Sequence, residues 1–454
     1  KTAHEYDVVL IPFGGGTNIA GCLEPHDKAG RFVVSLDMCQ MHRVLEVDKK
    51  SLTARMEAGV YGPYMEEQLA EHGVTLGHFP DSFIHSTLGG WVATRSAGMQ
   101  SDKYGKIEDM VIALRMVTPS GTIVTRTVPN TSNGIDVRSL CVGSEGILGV
   151  ITEVTVQVHR VPEYKMFEGW LFPDFESGIH AIHECMRHGT MPVITRLNDP
   201  GKTALSAAFK KVESPLKQKI GAAMKWYLRN IKGIDFSKCC MMTTAYEGDY
   251  DTFHMQRRES AHVFRKHGGV NLGEGPGNSF KEAKYDFPHV RDYLMDRGVM
   301  GDVSETSTTW ENLHNLYTKT LANIQKAIRD TGVDPWVGCH ISHNYHTGAS
   351  LYFTFGCRQI KGRELDQYLY IKKAAEDSFL QNGGTVSHHH AVGTEHLPWI
   401  EADLSPTGVK AVRALKDGLD PKSVMNPGKI LPGPDPLREW GLTDEAIASF
   451  NKAD

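Results

Sequence analysis

The chain of 454 residues has only eight cysteines, scattered apart from the adjacent Cys239 and Cys240, and no C-x-x-C pair. That argues against a zinc site or a disulfide framework and fits a reducing compartment. No apolar run is long enough to span a bilayer. Neither G-x-G-x-x-G nor a Walker loop occurs, so the two common nucleotide fingerprints are absent. Positive charge is not in excess, and a formal net charge of -5 argues against a nucleic-acid partner. No signal peptide precedes the first strand-like run, and the chain begins almost inside that run. The abrupt start leads us to expect further residues upstream, with any N-terminal targeting signal among them. The final Asn451-Lys452-Ala453-Asp454 is not a peroxisomal tripeptide.

What is present is a composition of 40% hydrophobic and 23% charged residues, that of a globular protein with room for two or three domains. Near the start, Val8-Val9-Leu10-Ile11-Pro12-Phe13-Gly14-Gly15-Gly16-Thr17-Asn18 reads as a buried strand that Pro12 closes, followed by a glycine run. Such a loop lets a large group approach the backbone and offers N–H groups to a pyrophosphate; an ordinary flexible turn is the alternative.

Further along, Arg31–Met38 and Ser51–Ala58 read as strands, and Gly62-Pro63 opens a helix over Tyr64–Glu71. Thr75–Gly90 is dense in glycine and hydroxyl residues and reads as a loop, continued by Thr94-Arg95-Ser96-Ala97-Gly98. A hairpin follows, Val111–Thr118 and Thr122–Thr125. Then a second glycine-rich loop, Gly143-Ser144-Glu145-Gly146-Ile147-Leu148-Gly149, runs into a strand at Val150-Ile151. Two such loops and a Gly/Ser/Thr belt point to a long ligand gripped mainly by backbone.

Past Pro162 the pattern alternates. Helices are expected at Phe175–Arg187, Thr252–Lys266 and Trp310–Thr331. Strands are expected at Pro192–Leu197 and Cys240–Tyr246, with a hairpin over Val337–His343 and Ala349–Phe355. Between Lys202 and Lys238, Lys210, Lys211, Lys217, Lys219, Lys225, Arg229 and Lys232 interleave with Ala204, Leu205, Phe209, Leu216, Ile220, Met224, Trp226, Tyr227 and Leu228, against only Glu213 and Asp235. That is a basic amphipathic segment, suited to an anionic bilayer surface or simply a solvated helix. The triplet His388-His389-His390 follows Gly383-Gly384-Thr385-Val386-Ser387. On an extended chain His388 and His390 would share one face and His389 the other. A metal site would need further ligands at fixed spacing, and none is convincing; imidazoles suit general acid–base work. Pro421–Gly428 reads as a loop.

The segment Pro12–Val158 resembles the FAD-binding domain of the vanillyl-alcohol oxidase superfamily. The matching pieces are Pro12–Asn18, Pro80-Asp81-Ser82 with Ser86-Thr87-Leu88-Gly89-Gly90, and Gly143–Gly149. The resemblance implies an α+β chain: an FAD-binding domain over 1–160, an α+β cap over 161–384, and a C-terminal segment over 385–454 that returns to the active site. It also implies that the FAD-binding residues are Pro12, Phe13, Gly14, Gly15, Gly16, Thr17, Asn18, His78, Asp81, Ser82, Ser86, Thr87, Thr94, Arg95, Ser96, Ala97, Gly143, Ser144, Glu145, Gly146, Ile147, Leu148, Gly149 and Ile151. For His78 a plain loop histidine is the alternative.

Gly383–His390 is similar to the His-rich signature of the alkyldihydroxyacetonephosphate synthase family, where related hydroxyacid dehydrogenases usually show Glu-His-Gly. Ile194–Leu197, Val290-Arg291-Asp292 with Ser304-Glu305-Thr306-Ser307, and Leu351–Phe355 agree with that family, whereas Met425–Lys429 departs from it in detail. The resemblance implies replacement of the acyl chain of acyl-dihydroxyacetone phosphate by a long-chain fatty alcohol, without net redox, through an adduct at flavin N5. It implies Tyr352 as the proton donor and acceptor, Arg291 on the substrate phosphate, Arg196 orienting the site, and His388, His389 and His390 deprotonating the alcohol. Structural alternatives are a packed aromatic for Tyr352, ion pairs for the two arginines and a structural role for part of the triplet. A homodimer, a peripheral membrane contact and a peroxisomal location are further implications of the family. A flavin-dependent hydroxyacid or alcohol dehydrogenase of the same superfamily and a non-catalytic flavin or lipid scaffold are the competing readings. Flavin reduction by a simple hydroxyacid would favour the first of these.

Overall fold

The apolar run after Asp7 forms strand β1 (Val9–Phe13) in a computed structural model that describes residues 1–26, 29–208, 215–285 and 287–450. A short helix, Thr2–Glu5, precedes it. The strand pairs in parallel with β2 (Val33–Asp37) and runs one residue beyond Pro12, where the sequence suggested it would close. The odd residues of β1 address β2: Val9 N donates to the Phe32 carbonyl, and the Phe13 carbonyl accepts from Met38 N. Pro12 faces the other way, so its missing N–H leaves this ladder intact. On that other side Leu10 N donates to the Val424 carbonyl and the Leu10 carbonyl accepts from Asn426 N, which docks the Pro421–Gly428 loop beside β1.

The chain divides into two compact units, the first comprising Lys1–Val161 with Phe379–Ser449 and the second Pro162–Ser378 with Phe450. In the first unit follow β3 (Val44–Asp48), β4 (Thr53–Glu57), α1 (Gly62–Ala70), α2 (Leu88–Thr94), β5 (Val111–Thr118), β6 (Gly121–Val124) and β7 (Val150–Gln157). The strands β3-β4-β7-β5-β6 form an antiparallel sheet in that order. The sequence reading missed β3, whose residues are mostly half-buried and show little alternation. It also took Thr75–Gly90 as loop throughout. A 3₁₀ turn occupies Phe83–His85, and Thr87 caps α2 by accepting from Gly90 N at 3.4 Å, so Gly89 and Gly90 lie in its first turn.

The second unit contains β8 (Tyr164–Phe172), α3 (Phe175–His188), β9 (Ile194–Asn198), α4 (Pro200–Ala208), α5 (Pro215–Asn230), β10 (Cys240–Gly248), α6 (Tyr250–Lys266), β11 (Val270–Gly273), α7 (Glu274–Ala283), α8 (Phe287–Met295), β12 (Val299–Thr309), α9 (Leu313–Asp330), β13 (Trp336–Asn344) and β14 (Gly348–Arg358). Its seven strands form one antiparallel sheet, ordered β11-β8-β10-β9-β13-β14-β12. Strand period two sorts the side chains. One face meets α3, α6 and α9: Phe264 lies edge-on to Trp170 and Phe172 at 5.1 and 5.9 Å, and Tyr317 stacks on Phe353 at 6.4 Å. Burial of each of these large aromatics contributes roughly 2–3 kcal/mol. The opposite face carries Arg196, Asn198, His340, Tyr352 and Glu305.

The basic segment forms α4 and α5. Phe209, Lys210, Lys211 and Glu213 lie outside the described residues, as do the side chains of Leu216, Lys217 and Ile220. On α5, Leu228 is buried with Leu171, Ile234 and Cys239, whereas Met224, Trp226 and Tyr227 are exposed. No helix among the described residues is long and apolar enough to cross a membrane.

The chain ahead of the histidine triplet forms a helix, Glu364–Gln381. The triplet itself sits in irregular chain, and the expected alternation of faces does not hold. The rings of His388 and His389 meet at 81° with a 2.9 Å contact between their Nδ1 atoms, and His389 and His390 lie 4.6 Å apart.

Candidate active site

The glycine run leaves β1 and turns directly against the Phe83–Thr87 turn. A Cβ on Gly14 would overlap Thr87 Oγ1, and one on Gly15 would overlap the carbonyl oxygen of His85. The chain's own close approach therefore demands these two glycines, bringing the first and second motifs together at backbone distance. Gly16 has φ +67. Thr17 is half-buried, and Asn18 ties the loop off: its Oδ1 accepts from Ala20 N at 2.9 Å and Cys22 N at 3.2 Å.

Around the second motif several hydroxyls are taken by the protein. Ser86 is buried, accepts from Ser82 Oγ at 3.1 Å and Trp91 Nε1 at 2.7 Å, and donates to the Ser82 carbonyl. Thr94 donates to the Gly90 carbonyl, and Arg95 ends α2 at φ +51 with Nε toward the Val142 carbonyl. Ala97 is buried and Asp81 exposed. His78 is fully buried, packs on Trp91 at 4.9 Å and contacts Ser96 Oγ through Nε2 at 3.2 Å. Burial, with the Lys106 charge adding, pushes its pKa down to about 3, so it is neutral.

The third motif is locked from the C-terminal side. Glu145, at φ +49, accepts from the N–H groups of Val392 and Gly393 at 2.7 and 2.8 Å and from Cys22 Sγ at 3.2 Å. Burial raises its carboxyl pKa. Asn426 Nδ2 donates to the carbonyls of Glu145 and Cys22, and Lys416 Nζ to those of Ile147 and Met425. A Cβ on Gly146 would sit 3.1 Å from Pro12. Gly143, Leu148, Gly149 and Ile151 continue the loop into β7. Asn426, in the Met425–Lys429 stretch that departs from the family in detail, thus ties the third motif to the chain that follows the first glycine loop.

The triplet is pinned through its backbone. Asn18 Nδ2 donates to the His390 carbonyl at 2.9 Å, and Lys106 Nζ to the His388 carbonyl at 2.7 Å. All three predicted flavin motifs and the triplet thus belong to one connected network in the first unit.

In the second unit, Asn198, His340, Tyr352 and Glu305 stand in register on four adjacent strands. Half-buried Arg196 lies two residues along β9 from Asn198, on the same face, with its guanidinium 5.7 Å above the Phe280 ring. No carboxylate pairs with it among the described residues, so the ion-pair alternative has no partner there. Tyr352 is half-buried, and the His340 ring lies 4.7 Å from it. Arg291 is not part of this row; it is exposed on α8, with no ion pair to Asp292 or Asp296 among the described residues.

Sequence reasoning missed Lys202, Asn198 and His340. Lys202, from α4, is buried and its Nζ lies 2.6 Å from His340 Nδ1 and 5.2 Å from the Tyr352 ring centroid. For Asn198 and His340 the available signal was a polar residue at an alternate position of a strand that otherwise reads as core.

The first unit suits a bound flavin nucleotide. Ser144 Oγ, His78 Nδ1 and Asn426 Oδ1, on or beside the expected flavin segments, are buried without hydrogen-bond partners among the described residues. A polar ligand satisfies such groups.

The comparisons agree with this geometry. Residues 1–127 match the FAD binding domain family, and residues 161–430 match the family described as FAD linked oxidases, C-terminal domain. FAD is accordingly the cofactor. An alkyldihydroxyacetonephosphate synthase from Dictyostelium discoideum is 40% identical over 95% of this chain and 70% of its own length. One from Trypanosoma brucei brucei is 40% identical over 98% of this chain and 73% of its own length. A solved structure of an alkyldihydroxyacetonephosphate synthase superposes with TM-score 0.80 at 38% identity, covering 94% of this chain and 74% of that one.

Proposed function

The chain belongs to the alkyldihydroxyacetonephosphate synthase family, and on that basis we propose that it is an FAD-dependent transferase that exchanges the acyl chain of acyl-dihydroxyacetone phosphate for a long-chain fatty alcohol. An ester becomes an ether and a fatty acid leaves, with no net electron transfer. The observation that carries this reading is the double anchor of the triplet. Asn18 and Lys106, both within the FAD-binding domain, hold the backbone of His388 and His390. Histidine side chains so fixed suit abstraction of a proton from the incoming alcohol.

The Pro12–Asn18 and Gly143–Gly149 loops would hold FAD, which would supply a covalent partner for the substrate carbon as the carboxylate leaves. Tyr352 gives and takes the proton at that carbon. Arg196, free of any carboxylate among the described residues, orients anionic substrate or cofactor, and exposed Arg291 binds the phosphate through its planar fork. Incubation with acyl-dihydroxyacetone phosphate and labelled fatty alcohol tests the proposal. Labelled ether and free fatty acid in equal amounts are expected; fatty acid released without label in an ether would overturn it.

We further propose a peripheral contact of α5 with a membrane. Exposed Trp226 and Tyr227 stand beside Lys225 and Arg229, a composition that suits an anionic lipid surface. Homodimerisation and a place on the lumenal face of the peroxisomal membrane complete the proposal and rest on the family resemblance.

A further inference from the structure

Lys202 has no counterpart among the catalytic residues expected from the sequence, yet its ammonium is buried within the polar row of the second unit. Its position is well determined: the Lys202 N–H donates to Asp199 Oδ1 at 2.8 Å in the first turn of α4, and its stem packs against Gly338. From there Nζ reaches His340 Nδ1 at 2.6 Å and overhangs the Tyr352 ring at 5.2 Å.

The contact constrains where the His340 proton can sit. With Lys202 as an ammonium, which has three donors and no acceptor, His340 Nδ1 presents its lone pair at this contact. The one ring proton of His340 then sits on Nε2, and a second proton cannot enter without setting two cations at contact distance.

We propose that Lys202 is a positioning residue for Tyr352: it holds His340 neutral in the Nε2–H tautomer, withdraws it from proton transfer, and leaves Tyr352 as the group in this row that exchanges a proton with substrate. Among the described residues, Glu305 stands in register beside Tyr352 on β12, Asp199 lies with Lys202 at the start of α4, and Tyr317 on α9 reaches Asp199. Asp199 is engaged by the Lys202 N–H and by Tyr317 OH, so its carboxylate is held on the far side of α4's first turn.

This inference rests on the proposed role of Tyr352, and its test separates the two. The flavin-loaded protein is labelled with ¹⁵N-histidine, and the His340 signal is identified as the one missing from His340→Gln. In the parent protein Nδ1 is expected to stay unprotonated from pH 5 to 8. In Lys202→Met, His340 is expected to titrate within that range, and kcat is expected to fall about tenfold or more with KM nearly unchanged. Lys202→Arg, which keeps a cation and donors, is expected to recover part of the rate. Flavin retention and melting temperature establish that each variant is folded. If Lys202→Met does not fold, Lys202→Arg and His340→Gln carry the test. A protonated Nδ1 in the parent protein, or a Lys202→Met variant with parental kcat and pH profile, would overturn the inference. A parent protein that turns over normally as Tyr352→Phe would instead remove the reading of Tyr352 on which it rests.

Discussion

Asn18, in the first glycine loop, donates to the backbone carbonyl of His390 across 372 positions of sequence, at 2.9 Å. One side chain thus serves two ends of the molecule, because its Oδ1 also closes the loop on Ala20 and Cys22. Asn18→Ala leaves a carbonyl and two N–H groups unserved, at a cost of about 1–3 kcal/mol. Displacement of the triplet is expected to lower turnover roughly tenfold to a hundredfold. Asn18→Asp keeps the acceptor but not the donor. It is expected to retain FAD while losing rate, which flavin fluorescence and initial velocities distinguish.

Gly15 has no room for a side chain, since the His85 carbonyl occupies the place of its Cβ. Gly15→Ala must push β1 and the Phe83–Thr87 turn apart. A destabilisation of about 1–3 kcal/mol is expected, with loss of bound flavin. The check is a melting curve with and without added FAD.

His78 makes stability depend on pH with a definite sign. Its folded pKa of about 3 lies below the ordinary 6.5, so between those values the unfolded chain binds a proton that the native one does not. Its contribution is therefore complete above pH 6.5 and is lost as pH falls toward 3, at about 1.4 kcal/mol per pH unit. His78→Phe retains an aromatic ring against Trp91. It is expected to remove about 2 kcal/mol of the loss between pH 6.5 and pH 5, read from urea midpoints at the two values.

Arg196 stands over Phe280 as a flat cation. Arg196→Lys keeps the charge but neither the planar fork nor the stack. It is expected to fold normally and to lose about tenfold or more in kcat/KM, as steady-state rates will reveal.

The parts of the chain legible in the sequence were those governed by local rules. Glycine runs, the Gly62-Pro63 helix start and the amphipathic period of Phe175–His188 marked their elements because turn sterics, capping and burial act over a few residues. Pro12 misled because its cost depends on which side of β1 the ladder lies, and that is a tertiary fact. The histidine triplet was visible as composition, but its conformation was not. Its backbone is set by Asn18 and Lys106, both distant in sequence. Lys202 was hidden in a run of basic residues, where nothing local separates a buried ammonium from solvated ones. His340 was visible only as one residue of a strand, and its importance arises from register with Tyr352.

The most direct measurement uses flavin-loaded protein under anaerobic conditions, with acyl-dihydroxyacetone phosphate, labelled fatty alcohol and no electron acceptor. Many turnovers of labelled ether per flavin, with no net flavin reduction at the end, are the expected result. Absence of ether, with the flavin bleached instead by a simple hydroxyacid, would contradict the transferase account and identify a dehydrogenase.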